Sequence, residues 1–303
     1  MIDSFEKISH ASKCMNNKRT AAVAGAADTH VLQAVARAKE DGIAEAILLG
    51  NGLEIEKLLR TLGQNPADYE IVDCAGGAQC GMEAVRMVRE QRANFLMKGL
   101  VETRDLLKPV VNKETGISAD RIMSHFALNE LPDYHKFIVN TDGGMIIYPT
   151  LEEKCGILRN AVETLHRLGN ACPKVAVLAG VEKVNPKMKE TVDADALKQM
   201  SLRGEITGCV VEGPISYDLA MSAETAKIKG YDCSYCGDFD VLLQPDLVCG
   251  NVLGKSWYMQ GHGKMAGIIV GAKVPIVLTS RGASSEEKYL SIALAAVTAP
   301  EGV

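Results

Sequence analysis

A strand-to-helix corner near the carboxyl terminus carries residues that could bind an anion and move a proton. Val274–Leu290 reads VPIVLTSRGASSEEKYL, so an apolar strand is followed at once by Ser280, Arg281 and Gly282. A guanidinium can hold an oxyanion through two parallel N–H bonds, and glycine lets the main chain come close. Glu287, six residues after the arginine, could act as a general base. The corner therefore predicts an anion site with a base beside it.

The same residues also have structural interpretations. Ser284, Ser285, Glu286 and Glu287 fit the S-x-x-E capping box, in which the Glu287 carboxylate would only accept a bond from the Ser284 N–H. Arg281 could form an ordinary salt bridge. The spacing by itself leaves both interpretations open.

Polar side chains follow other predicted strands as well. The carboxyl ends of parallel strands are where open α/β sheets bind ligands. The corners are FLMKGLVETRDLLKP with Lys98, Thr103 and Lys108; VVEGPISYDLAMS with Glu212, Ser216, Tyr217 and Asp218; and LLQPDLVCGN with Asp246 and Asn251. Each has a local alternative: Ser216 could be an N-cap, Asp246 a loop residue and Lys108 a lysine on a helix face.

The elements that position these corners alternate regularly. About ten apolar runs are separated by helical patterns, such as the strand TAAVAGA before a helix with Val31, Leu32 and Val35 on one face. This alternation predicts a parallel sheet covered by helices. Thr150 and Glu153 predict a capping box at a helix start.

The middle of the chain departs from that alternation. RIMSHFALN and KFIVNTDGGMIIYPT have no long helix between them, and Asp142-Gly143-Gly144 predicts a turn between antiparallel strands. No Gly/Ser-rich linker separates the chain into tethered domains. Two α/β lobes that share a cleft, with a chain that crosses between them more than once, fit this pattern.

Composition limits the class of protein. The chain has 303 residues, 47% hydrophobic, with a formal net charge of -5, and we find no basic run that could follow a phosphate backbone. The sequence has no apolar run of membrane-spanning length, and its polar amino terminus differs from a secretion signal. We therefore expect a cytoplasmic protein that binds neither nucleic acid nor membrane.

Nine cysteines lie mostly in apolar segments, which favours reduced thiols over a disulfide framework. Cys233 and Cys236 alone have C-x-x-C spacing. A zinc site would need a second ligand pair, and a redox pair would need a thiolate of low pKa. We interpret these thiols as buried side chains without a redox or zinc role.

The sequence can be tested for a dinucleotide-binding site and for a metal-dependent enzyme. The first strand is not followed by the G-x-G-x-x-G that a dinucleotide site requires. A metal-dependent decarboxylating dehydrogenase is a possible rival, with Asp238, Asp240 and Asp246 as magnesium ligands. A catalytically silent binding module is a second rival.

Several long strings occur in the order and at the separations typical of one enzyme family. The chain resembles the phosphate acetyltransferase and phosphate butyryltransferase family over nearly its whole length, and it is similar to the butyryl branch more than to the acetyl branch. The strings are GLVETRDLLKP, FIVNTDGGMIIYPTLEEK, AGVEKVNPKM, EGPISYDLA, QPDLVCGN and LTSRGASSEEKYLSIALA.

The resemblance implies reversible transfer of a short acyl group, butyryl or similar, between coenzyme A and inorganic phosphate. Acetyl as the main substrate is the alternative. It implies coenzyme A as a substrate, no permanently bound cofactor and no metal, and a homo-oligomer that is a dimer or larger. It also implies two α/β/α lobes like those of isocitrate and isopropylmalate dehydrogenases, with residues 1–117 plus 271–303 in the first and residues 118–270 in the second.

The resemblance also implies roles for residues. Ser280, Arg281 and Glu287 would be catalytic: Arg281 holds phosphate, Ser280 donates a hydrogen bond to the carbonyl oxygen or the thiolate, and Glu287 stands where the family has an aspartate base. A solvated glutamate near pKa 4.3 faces a thiol near 8.5, a mismatch of about 5 to 6 kcal/mol, so burial would have to raise the Glu287 pKa.

Further substrate-binding residues come from the matched strings. Lys108 stands where the acetyl branch has an arginine before proline, and it could contact phosphate or the adenosine phosphate of the coenzyme. Gly282, Thr103, Asp246 and Asn251 complete the expected set. None of them is expected to bind a metal.

Overall fold

The computed structural model describes residues 2–300 and has a mixed α/β fold, which confirms the expected class. The chain folds into two compact units. We call the first the split unit, because it is built from Phe5–Arg121 and from residues 266–300. The second, the central unit, consists mainly of Ile122–Met265.

The strands and helices alternate along most of the chain. The strands are β1 (Arg19–Ala24), β2 (Ala44–Gly50), β3 (Glu70–Asp73), β4 (Phe95–Lys98), β5 (Ser124–Glu130), β6 (Ile138–Thr141), β7 (Lys174–Leu178), β8 (Val210–Ile215), β9 (Val241–Leu243), β10 (Lys264–Val270) and β11 (Ile276–Val277). The helices are α1 (Phe5–Lys13), α2 (Thr29–Glu40), α3 (Gly52–Thr61), α4 (Gly77–Arg89), α5 (Thr103–Val110), α6 (Leu151–Arg167), α7 (Lys189–Leu202), α8 (Tyr217–Met221), α9 (Ala223–Lys229), α10 (Leu247–Met259) and α11 (Ser285–Thr298).

In the split unit, five parallel strands lie in the order β3, β2, β1, β4 and β11. β10 pairs with β11 in the antiparallel sense. Ala24 is opposite Lys98 and Met97 is opposite Val277, so β1, β4 and β11 reach their carboxyl ends side by side. Ligand sites in α/β sheets form at such an edge.

Helix α11 lies at the core of the split unit. It is buried along almost its full length, as its apolar sequence LSIALAAVT requires. Ser12 of α1 donates a hydrogen bond to the Ala293 carbonyl at 3.2 Å, and the Gly267 N–H of β10 donates to Ser291 Oγ at 3.0 Å. The Tyr289 hydroxyl bonds to Asp41 at 2.7 Å, next to the end of α2. These contacts hold α11 in place within the split unit.

Helix α5 packs closely on α4. A Cβ built on Gly81 of α4 would lie 2.2 Å from the Asp105 carbonyl oxygen of α5, a distance that side chains do not adopt. Glycine at this position therefore allows the two helices to approach, and it sets the position of Glu102 and Thr103 at the start of α5.

In the central unit, the strands lie in the order β5, β6, β9, β7 and β8. The pair β5–β6 is antiparallel, whereas β6, β9, β7 and β8 run parallel. The antiparallel strand pair predicted for the middle of the chain is thus confirmed. The predicted capping box is also present, because Thr150 Oγ1 accepts from the Glu153 N–H at 3.2 Å and the Glu153 carboxylate accepts from the Thr150 N–H at 2.8 Å.

The predicted turn at Asp142-Gly143-Gly144 is wrong. Residues 131–137 connect the antiparallel strands, and the segment from Asp142 follows β6 without forming another strand. The Asp142 carboxylate accepts hydrogen bonds from the N–H groups of Gly144, Met145 and Ile146 at 2.7 to 3.3 Å. An aspartate that satisfies three main-chain donors stabilises an irregular loop where the sequence pattern predicted a hairpin.

No helix within residues 2–300 is both long and apolar enough to cross a membrane.

The contact at Gly81 can be tested by adding a single methyl group. We expect Gly81→Ala to lower the free energy of unfolding by about 1 to 3 kcal/mol, because the new Cβ must push α5 away. Gly52→Ala in α3 is the matched control, since its Cβ would have only ordinary contacts of 3.4 Å or more. Urea denaturation measures both, and equal stabilities would contradict the proposed close approach.

Candidate active site

The corner between β11 and α11 places Ser280, Arg281 and Gly282 at the surface. The Arg281 side chain is 71% exposed, and its Nη2 donates to Oε1 of Glu102 at 2.5 Å. The Gly282 N–H donates to Ser280 Oγ at 3.4 Å. An exposed ion pair contributes only about 0 to 1 kcal/mol, so a doubly charged anion can displace the Glu102 carboxylate. The salt bridge foreseen as the alternative for Arg281 is present, and it is weak enough to open.

Glu287 lies in the first turn of α11 and is buried, with 6% of its surface exposed. Its N–H donates to Ser284 Oγ at 3.1 Å, which caps the helix. The reciprocal bond from the Ser284 N–H to the Glu287 carboxylate, which completes the box at Thr150, is not formed here. The carboxylate has no hydrogen-bond partner among residues 2–300, so capping does not account for it.

Burial raises the pKa of the Glu287 carboxyl to about 7, although the charge of Lys288 opposes the rise. Removing a carboxylate from water disfavours its charged form, which is the dominant effect here. A carboxyl with this pKa can accept a proton and release it near neutral pH. The geometry and the burial together make Glu287 a candidate base.

Two buried lysines accompany this carboxyl. Lys98 at the end of β4 is 7% exposed, and Lys288 in α11 is 5% exposed. The sequence marked Lys98 as a polar residue after a predicted strand but gave it no role in the site. Lys288 gives no such signal, because a lysine beside a helix start is most often solvated.

Thr103 and Lys108 lie at opposite ends of α5. Thr103 is its first residue and follows Glu102, the partner of Arg281. Lys108 is exposed in the last turn, five residues later, which corresponds to about 7.5 Å along the axis and about 140° around it. The structure therefore brings Thr103, but not Lys108, to the Arg281 corner.

Asp246 and Asn251 belong to the central unit, and both have structural contacts there. Asp246 caps α10, since its Oδ1 accepts from the Cys249 N–H at 2.9 Å. Asn251 donates to the Gly143 carbonyl at 3.3 Å, so it holds the loop that follows β6. These bonds use one oxygen of Asp246 and the amide nitrogen of Asn251, and they leave the remaining polar atoms for other partners.

The corner after β7 and β8 surrounds a cavity of about 650 Å³. Ser216 donates to Glu182 at 2.5 Å and lies 2.7 Å from Asp218, whose carboxylate pairs with Lys229 at 2.8 Å. Val181, Val184 and Leu219 are among the apolar lining residues. A volume in this range is typical of small-molecule sites. Two of the polar residues that the sequence marked at this corner, Ser216 and Asp218, therefore contact the lining residues Glu182 and Lys229.

The aspartates of the rival magnesium site are separately engaged. Asp238 pairs with Lys136 at 2.9 Å and also with Lys174, and Asp240 pairs with Lys136 at 2.8 Å. Asp246 caps α10, and no group of three or more metal-binding side chains occurs within residues 2–300. Lysine ammonium groups thus pair with two of the three aspartates, and a main-chain N–H bonds to the third.

The C-x-x-C pair does not have the properties of a redox site. Cys236 is buried, and burial raises the pKa of its thiol to about 12. A reactive thiol needs the opposite shift. All nine cysteines are free, as the composition predicted.

Fold and site together define an α/β protein with a buried carboxyl group in the helix that follows a cationic corner. Residues 78–296 match the phosphate acetyl/butaryl transferase family. The chain therefore belongs to this family, as its sequence strings indicated.

Individual relatives cover the chain almost completely. The phosphate butyryltransferase of Clostridium acetobutylicum is 42% identical over 299 residues, 99% of each chain. The phosphate acetyltransferase of Thermotoga maritima is 39% identical over 278 residues, 92% of this chain and 94% of the relative. The crystal structure of a branched-chain phosphotransacylase from Enterococcus faecalis V583 is 34% identical with a TM-score of 0.81, covering 92% of this chain and 98% of that one.

Burial of Glu287 predicts a specific dependence of stability on pH. The unfolded carboxyl ionises near its ordinary pKa of 4.5, whereas the folded carboxyl keeps its proton up to about 7. Its contribution to stability is therefore complete below pH 4.5 and is lost as pH rises through 7, a change of about 3 kcal/mol. We expect Glu287→Gln to lack this loss, so its stability relative to wild type should rise by about that amount between pH 4.5 and pH 8.

Urea denaturation at several pH values measures the effect. Glu286→Gln is the control, because the neighbouring Glu286 side chain is 48% exposed and pairs with Arg37. A stability difference that is flat with pH for Glu287→Gln would contradict the burial effect.

Proposed function

We propose that this protein is a phosphate acyltransferase that moves a short acyl group, butyryl or similar, reversibly between coenzyme A and inorganic phosphate. Membership of the phosphate acetyl/butaryl transferase family supports the reaction class. The observation that carries the residue assignment is the buried Glu287 carboxyl in the helix that follows Arg281. It has a pKa of about 7 and no hydrogen-bond partner in the part of the chain that the structure describes.

The reaction needs three functions from the protein. The coenzyme A thiol gives its proton to the Glu287 carboxylate, and the sulfur attacks the carbonyl carbon of the acyl phosphate. The carbon–sulfur bond forms and the bond to the phosphate oxygen breaks, so inorganic phosphate leaves. Arg281 neutralises that leaving group, and the Ser280 hydroxyl donates a hydrogen bond to the carbonyl oxygen as it gains charge.

The raised pKa decides whether Glu287 can act as the base. A thiol near pKa 8.5 and a solvated glutamate near 4.3 differ by about 5 to 6 kcal/mol, too large a mismatch for efficient proton transfer. With the Glu287 pKa at about 7, the mismatch falls to about 2 kcal/mol. Desolvation thus supplies about 3 kcal/mol of the driving force that the proton transfer needs.

The remaining expected residues are part of the proposal as substrate contacts. Gly282 gives an anion access to the main chain, and Thr103 lies beside the Glu102 carboxylate that must move when phosphate binds. Lys108 would then contact a more distant part of the coenzyme. Asp246 and Asn251 are proposed contacts of the central unit, where their bonds to Cys249 and Gly143 hold the local backbone.

We also propose the larger arrangement that the sequence implied. Residues 1–117 with 271–303, and residues 118–270, would act as two α/β/α lobes of the isocitrate dehydrogenase type, and the division into a split and a central unit supports this. Coenzyme A enters as a substrate, and the scheme requires no resident cofactor or metal. A homo-oligomer, dimer or larger, is the proposed assembly.

Arg281 gives the most direct test of the reaction. We expect Arg281→Ala to lower kcat/KM for phosphate-dependent release of thiol from butyryl-CoA by a factor of about 10² or more, because the phosphate loses its paired N–H donors. A thiol reagent measures the product. Arg60→Ala is the control, since Arg60 also forms an exposed ion pair, with Glu56 at 2.8 Å.

Two results would contradict this assignment. An unchanged rate in Arg281→Ala, with folding intact, would refute the role of Arg281. Wild-type protein that turns over no short acyl-CoA would favour the silent binding module, and activity lost with a chelator would favour the metal-dependent rival.

A series of acyl-CoA substrates distinguishes a preference for butyryl from a preference for acetyl. We expect kcat/KM for butyryl-CoA to exceed that for acetyl-CoA by about tenfold or more, because each buried methylene contributes about 1 to 3 kcal/mol to discrimination. The relative from Clostridium acetobutylicum and the branched-chain structure support this order. A maximum at acetyl would instead support the alternative suggested by the Thermotoga maritima relative.

A further inference from the structure

Among the residues that the structure describes, Lys98 and Lys288 are unusual because both are buried without an ion pair. The Lys98 Nζ donates to the Gly99 carbonyl at 3.3 Å, and the Lys288 Nζ to the Ala283 carbonyl at 2.7 Å. Within residues 2–300, no carboxylate oxygen lies within 4.0 Å of either amino group. Lysines are rarely buried unless they are paired, since an ammonium ion removed from water costs several kcal/mol.

The nearby carboxylates are already engaged elsewhere. Asp28 influences both lysines, but its Oδ1 accepts from the Val31 N–H at 2.9 Å as the cap of α2. Glu102 pairs with Arg281 at 2.5 Å. Glu287 influences Lys288, but with a pKa of about 7 it is only partly ionised at neutral pH. The protein therefore provides no close counter-charge for the two ammonium groups.

Lys98 is also repelled by both Lys288 and Arg281. Burial lowers the pKa of Lys98, and the charges of Arg281 and Lys288 lower it further. Burial likewise lowers the pKa of Lys288. Three cations gathered in this way are electrostatically unfavourable until an anion binds among them.

The position of the cations agrees with a ligand site. Lys98 ends β4, between Ala24 at the end of β1 and Val277 at the end of β11. Arg281 follows β11, and Lys288 lies in the first two turns of α11. All three residues thus belong to the sheet edge at which α/β proteins bind anionic ligands.

We propose that Lys98 and Lys288 are phosphate-binding residues that, with Arg281, hold a doubly charged phosphoryl group at this edge. The identity of the substrate rests on the proposed function. Arg281 contacts the group through its exposed guanidinium, while the two lysines act as compact charges from the protein interior. Two buried positive charges favour a dianion over a monoanion such as acetate, so the site binds phosphate in preference to carboxylates.

Phosphate binding can be measured without turnover. We expect Lys98→Met and Lys288→Met each to weaken the binding of inorganic phosphate at least tenfold by titration calorimetry. Lys57→Met is the control, because Lys57 of α3 is exposed, and this variant should bind phosphate as wild type does. Lys98→Gln and Lys288→Gln provide second variants if a methionine protein does not fold.

Stability gives a readout that a structural role would not produce. Removal of an unpaired buried charge should leave the urea midpoint of each variant, without phosphate, equal to or above that of wild type. Added phosphate should raise the midpoint of wild type and of Lys57→Met but not of the two variants. Variants that are less stable yet bind both phosphate and coenzyme A normally would overturn the proposal.

Coenzyme A also carries phosphoryl groups, so the experiment must distinguish whether the lysines bind inorganic phosphate or the coenzyme. Titration with coenzyme A and with 3′-dephospho-coenzyme A completes the experiment. Weakened binding of coenzyme A with normal binding of inorganic phosphate would keep the lysines as phosphoryl ligands and assign them to the coenzyme. Unchanged affinity for all three ligands would refute the proposal. These results do not depend on turnover, so they are distinct from a failure of the proposed reaction.

Discussion

Desolvation of charge at the start of α11 is the constraint on which the candidate site depends. Glu287 and Lys288 are adjacent in sequence and both buried, yet neither forms an ion pair with a side chain of the described residues. Burial raises the carboxyl pKa and lowers the ammonium pKa, so it moves both groups toward their neutral forms. A site with this property responds strongly to a bound anion or to a proton, because either one changes the local charge balance in a poorly solvated region.

Helix α11 can keep charged groups out of water because the rest of it is firmly packed. Its apolar residues fill the core of the split unit, and hydrogen bonds connect it to α1, β10 and the end of α2. The loop before it is different, since Ser280, Arg281 and Gly282 are exposed. A firmly held carboxyl group next to an accessible cation fits the proposed acyl transfer, because a base must be positioned in advance while phosphate must enter and leave.

In the central unit, some polar residues hold the backbone of loops and helix starts, and others form ion pairs. Asp246 and Asn251 hold the backbone at the start of α10, and Asp142 organises the loop that follows β6. Asp238 and Asp240 are neutralised by lysines instead of being free to bind a metal. The charge pairing in this unit therefore argues against the hypothesis of a metal-dependent dehydrogenase and is compatible with phosphate acyltransfer.

The sequence by itself determined the alternation of strands and helices, the antiparallel entry, the Thr150 capping box and the family. These features depend on residues a few positions apart or on long matched strings, so they can be read without coordinates. It placed the turn at Asp142 wrongly, because the aspartate satisfies main-chain donors of its own loop.

Only the tertiary structure decided the chemistry of the corner. Thr150 to Glu153 and Ser284 to Glu287 have the same capping pattern, yet one glutamate bonds back to its cap and the other is buried without a partner. Lys288 likewise has no local signal that distinguishes it from a solvated lysine. Burial depends on elements far apart in the chain, here β4, β11 and α11, and for that reason spacing along the sequence could not reveal which side chains lose their water.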